Sequence, residues 1–228
     1  RNEEYRRGVF ECAMGQFEQA FERFDKQRLI HEGKQHYLSE AAAKYMAYTE
    51  NGRFINRAIL VAPTHEECDK LTEAVREKLK ESEAIRETGR ETEIFRSWNK
   101  PKAWLKDAAN FQPGMTVGFI RNMKGVAKAG EVVRVEAVEG KTLVLNNNKR
   151  IYARAASDFI DVGEMRKIEL CEGDLIQFRV NLKDRKVYNG TLARVSADPG
   201  KVEVLYSDGK PRGTMDMPEH YAAFDYGW

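Results

Sequence analysis

The sequence is short of cysteine and of long apolar runs, and both shortages exclude classes of protein. Its three cysteines, Cys12, Cys68 and Cys171, are odd in number and lack a C-x-x-C spacing. We therefore expect reduced thiols and a cytoplasmic protein. No run of eighteen apolar residues occurs, so no membrane partner is expected. The formal charge of +2 indicates no acidic partner by itself. Because the chain opens at Arg1 without an apolar leader, we expect a piece of a longer protein.

Motifs for catalysis and for metal binding are missing as well. The sequence has no G-x-x-x-x-G-K-[ST] phosphate loop, no H-E-x-x-H pair and no carboxylate cluster with metal-ligand spacing. His31 and His36 are five residues apart, a poor helical spacing for shared ligation, so we interpret them as ordinary polar residues. We predict no catalytic residue, no metal site and no bound cofactor in this chain.

An internal repeat occupies the C-terminal half. Residues 111–119 (FQPGMTVGF) align with residues 170–178 (LCEGDLIQF), and Gly130 aligns with Gly190. The offset changes from 59 to 60 residues through one residue of slippage in the loop before these glycines. Short alternating strands separated by turn signals recur in both copies, which is typical of small β-barrels. The repeat therefore predicts two copies of one small β module.

The N-terminal half shows helical periodicity and then a strand followed by a helix. Amphipathic helices are predicted over residues 15–30 and 38–48, and a further strand over residues 93–98. Ala58–Ala62 (AILVA) is a continuous apolar run, typical of a strand buried in a parallel sheet. Strand and helix in this order make half of a βαβ unit, which indicates an α/β domain. The predicted buried stripe of that helix consists of Leu71, Val75 and Leu79.

Thr64 and His65 stand at the junction of this strand and helix. Ligands of α/β sheets bind beyond the carboxyl ends of the strands, and a helix N-terminus attracts phosphate. One hypothesis is that both residues contact a phosphate of a nucleic-acid backbone. The alternative is that Thr64, with Glu67 in a capping-box pattern, only caps the helix, and that His65 is a solvated residue of its first turn.

Basic residues cluster in the long loop of each repeat. Cations beside a base-stacking ring are what sequence-tolerant contact with a single strand requires. The alternative is that these loops are merely solvated, since Asp184 dilutes the second cluster. Asn189–Gly190 is more simply interpreted as a hairpin turn, in which positive φ is tolerated at both residues. The candidate DNA-binding residues of the two loops are Arg121, Lys124, Lys128, Arg179, Asn181, Lys183, Arg185, Lys186, Tyr188 and Asn189.

Several stretches together resemble superfamily 1 DNA helicases of the RecD type. Residues 172–181 (EGDLIQFRVN) and 187–192 (VYNGTL) resemble a barrel inserted in the second motor domain of that family. Residues 59–76 (ILVAPTHEECDKLTEAVR) are similar to an element of conjugative relaxase-helicases of the MobF/TraA type. Residues 111–114 (FQPG) are similar to the opening of their barrel, with Met115 in place of an acidic residue.

The resemblance implies a fold of the α+β multidomain class. Residues 1–108 would form a partial α/β, RecA-like motor domain of helices and a strand–helix unit. Two tandem Src-homology-3-like (SH3-like) β-barrels would follow, at 109–168 and 169–228, the second leading back toward the motor domain.

The resemblance also implies a function. The parent protein would use ATP and Mg to move along single-stranded DNA during plasmid transfer, with its remaining helicase and relaxase domains as partners of this chain. The nucleotide-binding and metal-binding motifs of the family lie outside the sequence, so the chain alone is expected to be inactive as an ATPase. Arg1 is the nearest counterpart of the family's ATP-contacting arginine.

Two other interpretations remain. The first is a tandem SH3-like module that binds protein segments through an aromatic-lined groove. Its candidate lining is Tyr188, Tyr206, Tyr221, Phe224, Tyr226 and Trp228, although terminal aromatic residues commonly complete a core. The second, tandem barrels that bind duplex or RNA, accounts for the repeat but not for the α/β half.

Overall fold

A computed structural model describes residues 2–220 and 222–228 of the chain. They belong to two compact units, one up to Ala41 and the other Ala42–Trp228. The predicted mixture of helices and strands is confirmed as an α+β fold, and its strand pairs are antiparallel. Within the described ranges, no helix combines the length and the apolar character needed to cross a bilayer. The proposed ATP-contacting Arg1 and the groove residue Tyr221 lie outside the described residues.

The helices account for most of the N-terminal half. The α-helices are α1 (Glu3–Ala13), α2 (Phe17–Lys26), α3 (Tyr37–Thr49), α4 (His65–Glu81), α5 (Lys102–Leu105) and α6 (Ala153–Ala156). Short 3-10 helices lie at Lys34–His36, Ala108–Asn110 and Lys183–Arg185. The helices predicted over residues 15–30 and 38–48 correspond to α2 and α3, so both predictions are confirmed.

In the first unit, α1 and α2 pack as a hairpin. The Arg23 guanidinium donates two hydrogen bonds of 2.8 Å to the Glu11 carboxylate, one to each oxygen. Ala20 is buried between the helices, whereas Phe17 and Phe21 are exposed. The apolar periodicity of α2 thus predicted a helix correctly, but only part of its apolar stripe is covered.

In the second unit, α3 and α4 enclose a small core. Val75 and Leu79 are fully buried and Leu71 is half-buried, so the predicted stripe of α4 is confirmed. The chain turns after α3 because the Thr49 hydroxyl accepts a hydrogen bond from the N–H of Gly52 at 3.1 Å. The core consists of Ala42, Tyr45, Met46, Val75, Leu79 and Ile85.

The strand predicted at Ala58–Ala62 is wrong. In the described part of the chain, none of its backbone groups takes part in a hydrogen bond. Ala58 and Leu60 pack against the core of α3 and α4, whereas Ile59 and Val61 are 83% and 81% exposed. A continuous apolar run suits a strand buried on both faces, but here only one face is covered and no neighbouring strand is supplied. The parallel sheet of an α/β domain is therefore not formed among the described residues.

Two antiparallel sheets fill the C-terminal half. The first contains β1 (Arg90–Ser97), β2 (Thr116–Phe119), β3 (Val132–Glu139), β4 (Thr142–Leu145), β5 (Arg150–Tyr152) and β6 (Ile160–Leu170). The second contains β7 (Leu175–Phe178), β8 (Leu192–Val195), β9 (Lys201–Leu205), β10 (Pro211–Asp216) and β11 (Phe224–Tyr226). The strand predicted over residues 93–98 is confirmed as β1, which pairs with β6 along its whole length.

The two sheets have the same topology. Without β1, the first runs β6-β2-β3-β4-β5, and the second runs β11-β7-β8-β9-β10. The predicted repeat therefore extends to the order of the strands. Closed barrels are not formed: among the described residues, the strands at the two ends of each sheet are not paired with each other. β5 and β11 are only three residues long, which limits how far the ladder can continue.

Each sheet buries a core of its own. Phe119 and Phe178, which occupy equivalent positions in the repeat, are both fully buried. The core of the first sheet also draws on Leu105, Ala108 and Phe111 from the segment before β2. That of the second sheet includes Ile94 and Ile168 from β1 and β6. The long β1–β6 pair thus contributes side chains to both halves of the repeat and holds their loops on one side of the molecule.

Candidate nucleic-acid interface

The long loop of each sheet is closed by an equivalent asparagine. Oδ1 of Asn122 accepts a hydrogen bond from the N–H of Ala129 at 2.8 Å. Oδ1 of Asn181 accepts one from the N–H of Asn189 at 2.9 Å. Satisfying a backbone donor in this way fixes the shape of a loop that has little secondary structure. Asn181 and Asn189, which we predicted to bind DNA, therefore also shape the loop.

The turn predicted at Asn189–Gly190 is present. The carbonyl of Tyr188 accepts from the N–H of Thr191 at 2.9 Å, which closes a four-residue turn. Gly190 has a φ of 88°, but the φ of Asn189 is not positive. The turn is of type II, in which only the third residue needs positive φ. The prediction allowed positive φ at both residues, and only Gly190 has it.

A cleft opens where these loops meet the end of β1. We call it the arginine cleft, and its volume is about 370 Å³. Residues from both repeats, from the start of α4 and from the end of β1 line it. Prominent among them are His65, Asn99, Arg121, Arg179, Asn181 and Asn189.

A second cleft adjoins the first and shares Asn181 with it. We call it the lysine cleft, with a volume of about 410 Å³. Its lining includes Asn122, Lys128, Asn181, Lys183, Arg185 and His220. Arg185 donates a hydrogen bond of 2.9 Å to the carbonyl of Asp216, which anchors its guanidinium. Among the described residues, Lys128 and Lys183 have no ion-pair partner.

The clefts gather most of the side chains predicted to bind DNA, although the two loops are about sixty residues apart. His65, Arg121, Arg179, Asn181 and Asn189 line the arginine cleft, and Lys128, Lys183 and Arg185 line the lysine cleft with Asn181. Thr64, Lys124, Lys186 and Tyr188 lie outside both. Tyr188, the predicted base-stacking ring, is 55% exposed.

Thr64 is held by its own helix. Its hydroxyl accepts the N–H of Glu67 at 3.2 Å and donates to the Glu67 carboxylate at 3.1 Å. The capping-box interpretation of Thr64 is confirmed. Both hydrogen-bonding roles of the hydroxyl are satisfied within α4, so a phosphate would have to displace Glu67 to reach it.

His65 belongs to a chain of polar contacts at the end of β1. Its Nε2 lies 2.8 Å from Nδ2 of Asn99, which fixes the ring against the cleft wall. The N–H of Asn99 donates to the hydroxyl of Ser97 at 2.8 Å, and that hydroxyl donates to Asp161 at 2.5 Å. The first turn of α4 is thereby joined to β1 and β6, so His65 is more than a solvated residue.

Asp161 is one of two carboxylates that line the arginine cleft, with Asp225. Loss of hydration raises the pKa of its carboxyl above the usual value, and the hydrogen bonds from Ser97 and from the N–H of Val162 offset the rise only in part. Each oxygen of Asp161 accepts one of these hydrogen bonds, and a carboxylate has lone pairs for further donors.

An ionic network borders the cleft. Asp69 of α4 accepts from Arg96 at 2.5 and 2.6 Å and from Arg166 at 2.5 Å. Arg96 also lies 3.6 Å from Asp225, and Arg179 lies 3.9 Å from the same carboxylate. Burial opposes the charge of Arg96, but the two carboxylates outweigh it and raise its pKa. Arg179 thus approaches the cleft with only a long contact to Asp225.

Sequence reasoning missed five polar residues of the cleft. Arg96, Ser97, Asn99, Asp161 and Asp225 all line it, yet they come from three separated parts of the sequence. Only the register between β1 and β6, which places Ser97 opposite Gly163, brings the end of β1 beside Asp161. No local motif of the sequence carries this signal.

Among the described residues, the aromatic side chains of the alternative interpretation do not line one common groove. Phe224 is buried, and Tyr226 packs against the core of the second sheet. Trp228 packs against the core of α3 and α4. Tyr188 and Tyr206 are exposed. Most of the described aromatic residues in this set therefore complete cores, as terminal aromatic residues commonly do.

Neither a metal site among the described residues nor a matching protein gives further evidence about function. The described residues hold no cluster of three or more histidine, cysteine or carboxylate side chains suited to a metal ion. Comparison with protein-family profiles and with curated proteins finds no match for the chain. The two clefts and their charges are therefore the basis for a functional proposal.

Proposed function

We propose that this chain is a noncatalytic part of an ATP-dependent DNA helicase of the RecD type, and that it binds single-stranded DNA along the arginine and lysine clefts. The parent is proposed to be a cytoplasmic conjugative relaxase-helicase. The two sheets correspond in this proposal to SH3-like insertions, and the helical region to part of a RecA-like motor domain. ATP, Mg, and the remaining helicase and relaxase domains belong to the parent protein.

One observation carries the proposal: the basic loops of two repeated sheets converge on adjoining clefts that share Asn181. A single strand follows such a path because its phosphates attract cations along a groove. Arg121, Lys128 and Lys183 have no ion-pair partner among the described residues and are available to phosphates. Candidate contacts outside the clefts, at Lys124, Lys186 and Tyr188, would extend the same path.

The proposal is tested by fluorescence anisotropy with a labelled thirty-nucleotide single strand over a range of salt concentrations. We expect affinity to fall steeply with salt, since binding to phosphates releases counterions. Arg121→Ala should weaken binding and lower the slope of log affinity against log salt by about 0.7.

Arg154→Ala is the matched control, because it removes the same charge from α6, where Arg154 is exposed and lines neither cleft. Equal effects of the two substitutions would show that only net charge matters. Absence of binding at low salt would refute the proposal. A shallow salt dependence with tight binding to an extended peptide would favour the protein-interaction alternative.

A further inference from the structure

The arginine cleft contains hydrogen-bonding groups that contact with a phosphate does not require. Arg121 and Arg179 supply positive charge, but Ser97, Asp161 and the asparagine side chains supply neutral donors and strong acceptors. Phosphate oxygens are acceptors only, so a carboxylate in the cleft repels them. The lining therefore matches a ligand group that carries hydrogen-bond donors as well as acceptors.

Two asparagine side chains of the cleft keep hydrogen-bonding groups without a partner among the described residues. Asn181 uses its side-chain oxygen to accept from the backbone of Asn189, which leaves its Nδ2 directed elsewhere. The side chain of Asn189 is exposed and, within the described residues, has no hydrogen-bond partner. Amide side chains in this state suit the edge of a nucleobase, which presents donors and acceptors side by side.

An apolar surface lies beside these groups. Ile120 lines the cleft and is one-third exposed. Its N–H donates to the carbonyl of Phe159 at 2.8 Å, so its backbone is fixed by the residue just before β6. A planar aromatic ring can pack on such a side chain while its edge faces the amides.

We propose that the arginine cleft takes one unstacked nucleobase of a single strand, with Arg121 and Arg179 holding the phosphates on either side. This inference rests on the proposed function and adds a base contact to it. The volume of about 370 Å³ lies at the small end of the range of roughly 300–1,000 Å³ for ligand pockets, which suits one base.

The chemistry of the base edge agrees with the lining. Exocyclic amines and ring N–H groups of bases are donors, and Asp161 offers an acceptor at the inner wall. Burial of Asp161 raises the pKa of its carboxyl, and a donor from the ligand would restore part of the lost solvation. A base in a single strand enters such a pocket at low cost because it is not paired.

The test uses the whole chain and a twelve-unit strand in which every base is replaced by an abasic spacer. A second strand carries one 2-aminopurine in the middle of the same spacers. Both have the same phosphates, so a difference in affinity reports the base alone. We expect the single base to raise affinity about tenfold, and the emission of 2-aminopurine to change on binding.

The variant Asn189→Ala separates the contribution of the base to the affinity from that of the phosphates. The first repeat has alanine, Ala129, at the equivalent position with the same backbone hydrogen bond, so the substitution suits this turn. It should abolish the gain in affinity that the single base gives. Arg121→Ala should instead weaken both strands equally.

The outcomes distinguish the two proposals. Equal affinity of both strands for the unaltered chain would overturn the base site while the phosphate path stands. An undiminished gain in Asn189→Ala would also overturn it. If neither these strands nor the thirty-nucleotide strand binds, the proposed function itself fails.

Discussion

The guanidinium of Arg76 donates two hydrogen bonds to the carboxylate of Asp174, each of 2.9 Å. Arg76 belongs to α4, and Asp174 lies in the turn before β7 with no exposed surface. The carboxylate also accepts from the N–H of Cys171 at 2.8 Å and from Nε1 of Trp228 at 3.2 Å. In the first repeat Met115 takes the place of Asp174 and packs against the first core. The acidic residue is therefore needed only where α4 supplies its partner.

Arg76→Ala should destabilise the chain by about 3 kcal/mol, because it leaves Asp174 charged, buried and without its ion partner. Urea unfolding followed by circular dichroism measures the loss. The double variant Arg76→Ala with Asp174→Asn should recover part of it, since the uncompensated charge is then removed. A loss below about 1 kcal/mol for Arg76→Ala would show that the pair behaves like an exposed one.

Asn181→Ala and Asn122→Ala should each cost about 1 kcal/mol, because each removes the side-chain acceptor of a backbone N–H in its loop. Asn181→Asp is the control, since a carboxylate oxygen can still accept the hydrogen bond from Asn189. Thermal unfolding of the three variants tests the equivalence of the repeats. A large loss in only one sheet would contradict it.

Asp161→Asn should make stability less sensitive to pH. The folded pKa of Asp161 lies above the ordinary value of 3.8 because of lost hydration, so the folded chain binds this proton more tightly than the unfolded chain does. The stabilisation that Asp161 contributes is therefore fully present below its pKa in the unfolded chain. It is lost as the pH rises through its pKa in the folded chain. Relative to the unaltered chain, the variant should gain stability toward neutral pH and lose that advantage near pH 3.8.

Unfolding curves at several pH values measure the difference. Ser97→Ala is a useful comparison, because it removes a hydrogen bond that favours the ionised carboxylate. It should enlarge the pH dependence rather than reduce it. If the free energy of unfolding of Asp161→Asn differed from that of the unaltered chain by a constant amount from pH 3.8 to neutral pH, the raised pKa of Asp161 would be contradicted.

Ile59→Ser should change stability by less than about 0.5 kcal/mol, because the side chain is almost fully exposed. Leu60→Ser, its neighbour in the sequence, should cost more than about 1 kcal/mol, because Leu60 packs against the α3–α4 core. Denaturant unfolding of both variants compares them directly. Similar losses would show that Ile59 is covered in solution.

The sequence predicted some elements well because their causes are local. The cap of α4 follows from Thr64 and Glu67, three residues apart, and its buried face follows from the spacing of Val75 and Leu79. The repeat was visible because equivalent turns need equivalent glycines, such as Gly130 and Gly190, both with positive φ.

The errors arose where a local pattern has more than one tertiary outcome. AILVA at residues 58–62 reads as a buried strand, yet a strand requires neighbours that the described residues do not provide. Phe17 and Phe21 repeat at helical spacing, but spacing identifies the apolar side of a helix without stating what covers it. Asn189–Gly190 predicted a turn correctly, but left open which residue has positive φ, and in the structure it is Gly190.

By itself the sequence determined the presence of α2, α3 and α4, the duplicated β module and the basic loops, because each depends on residues close together in the chain. Only the tertiary structure decided that these loops share adjoining clefts with His65, Asn99 and Asp161. The position of the loops beside these residues depends on the antiparallel pairing of β1 with β6, which are separated by about seventy residues in the sequence. It also depends on the contact of Arg76 with Asp174, which are 98 residues apart. Such long-range pairings follow from the packing of whole elements, which no short stretch of residues encodes.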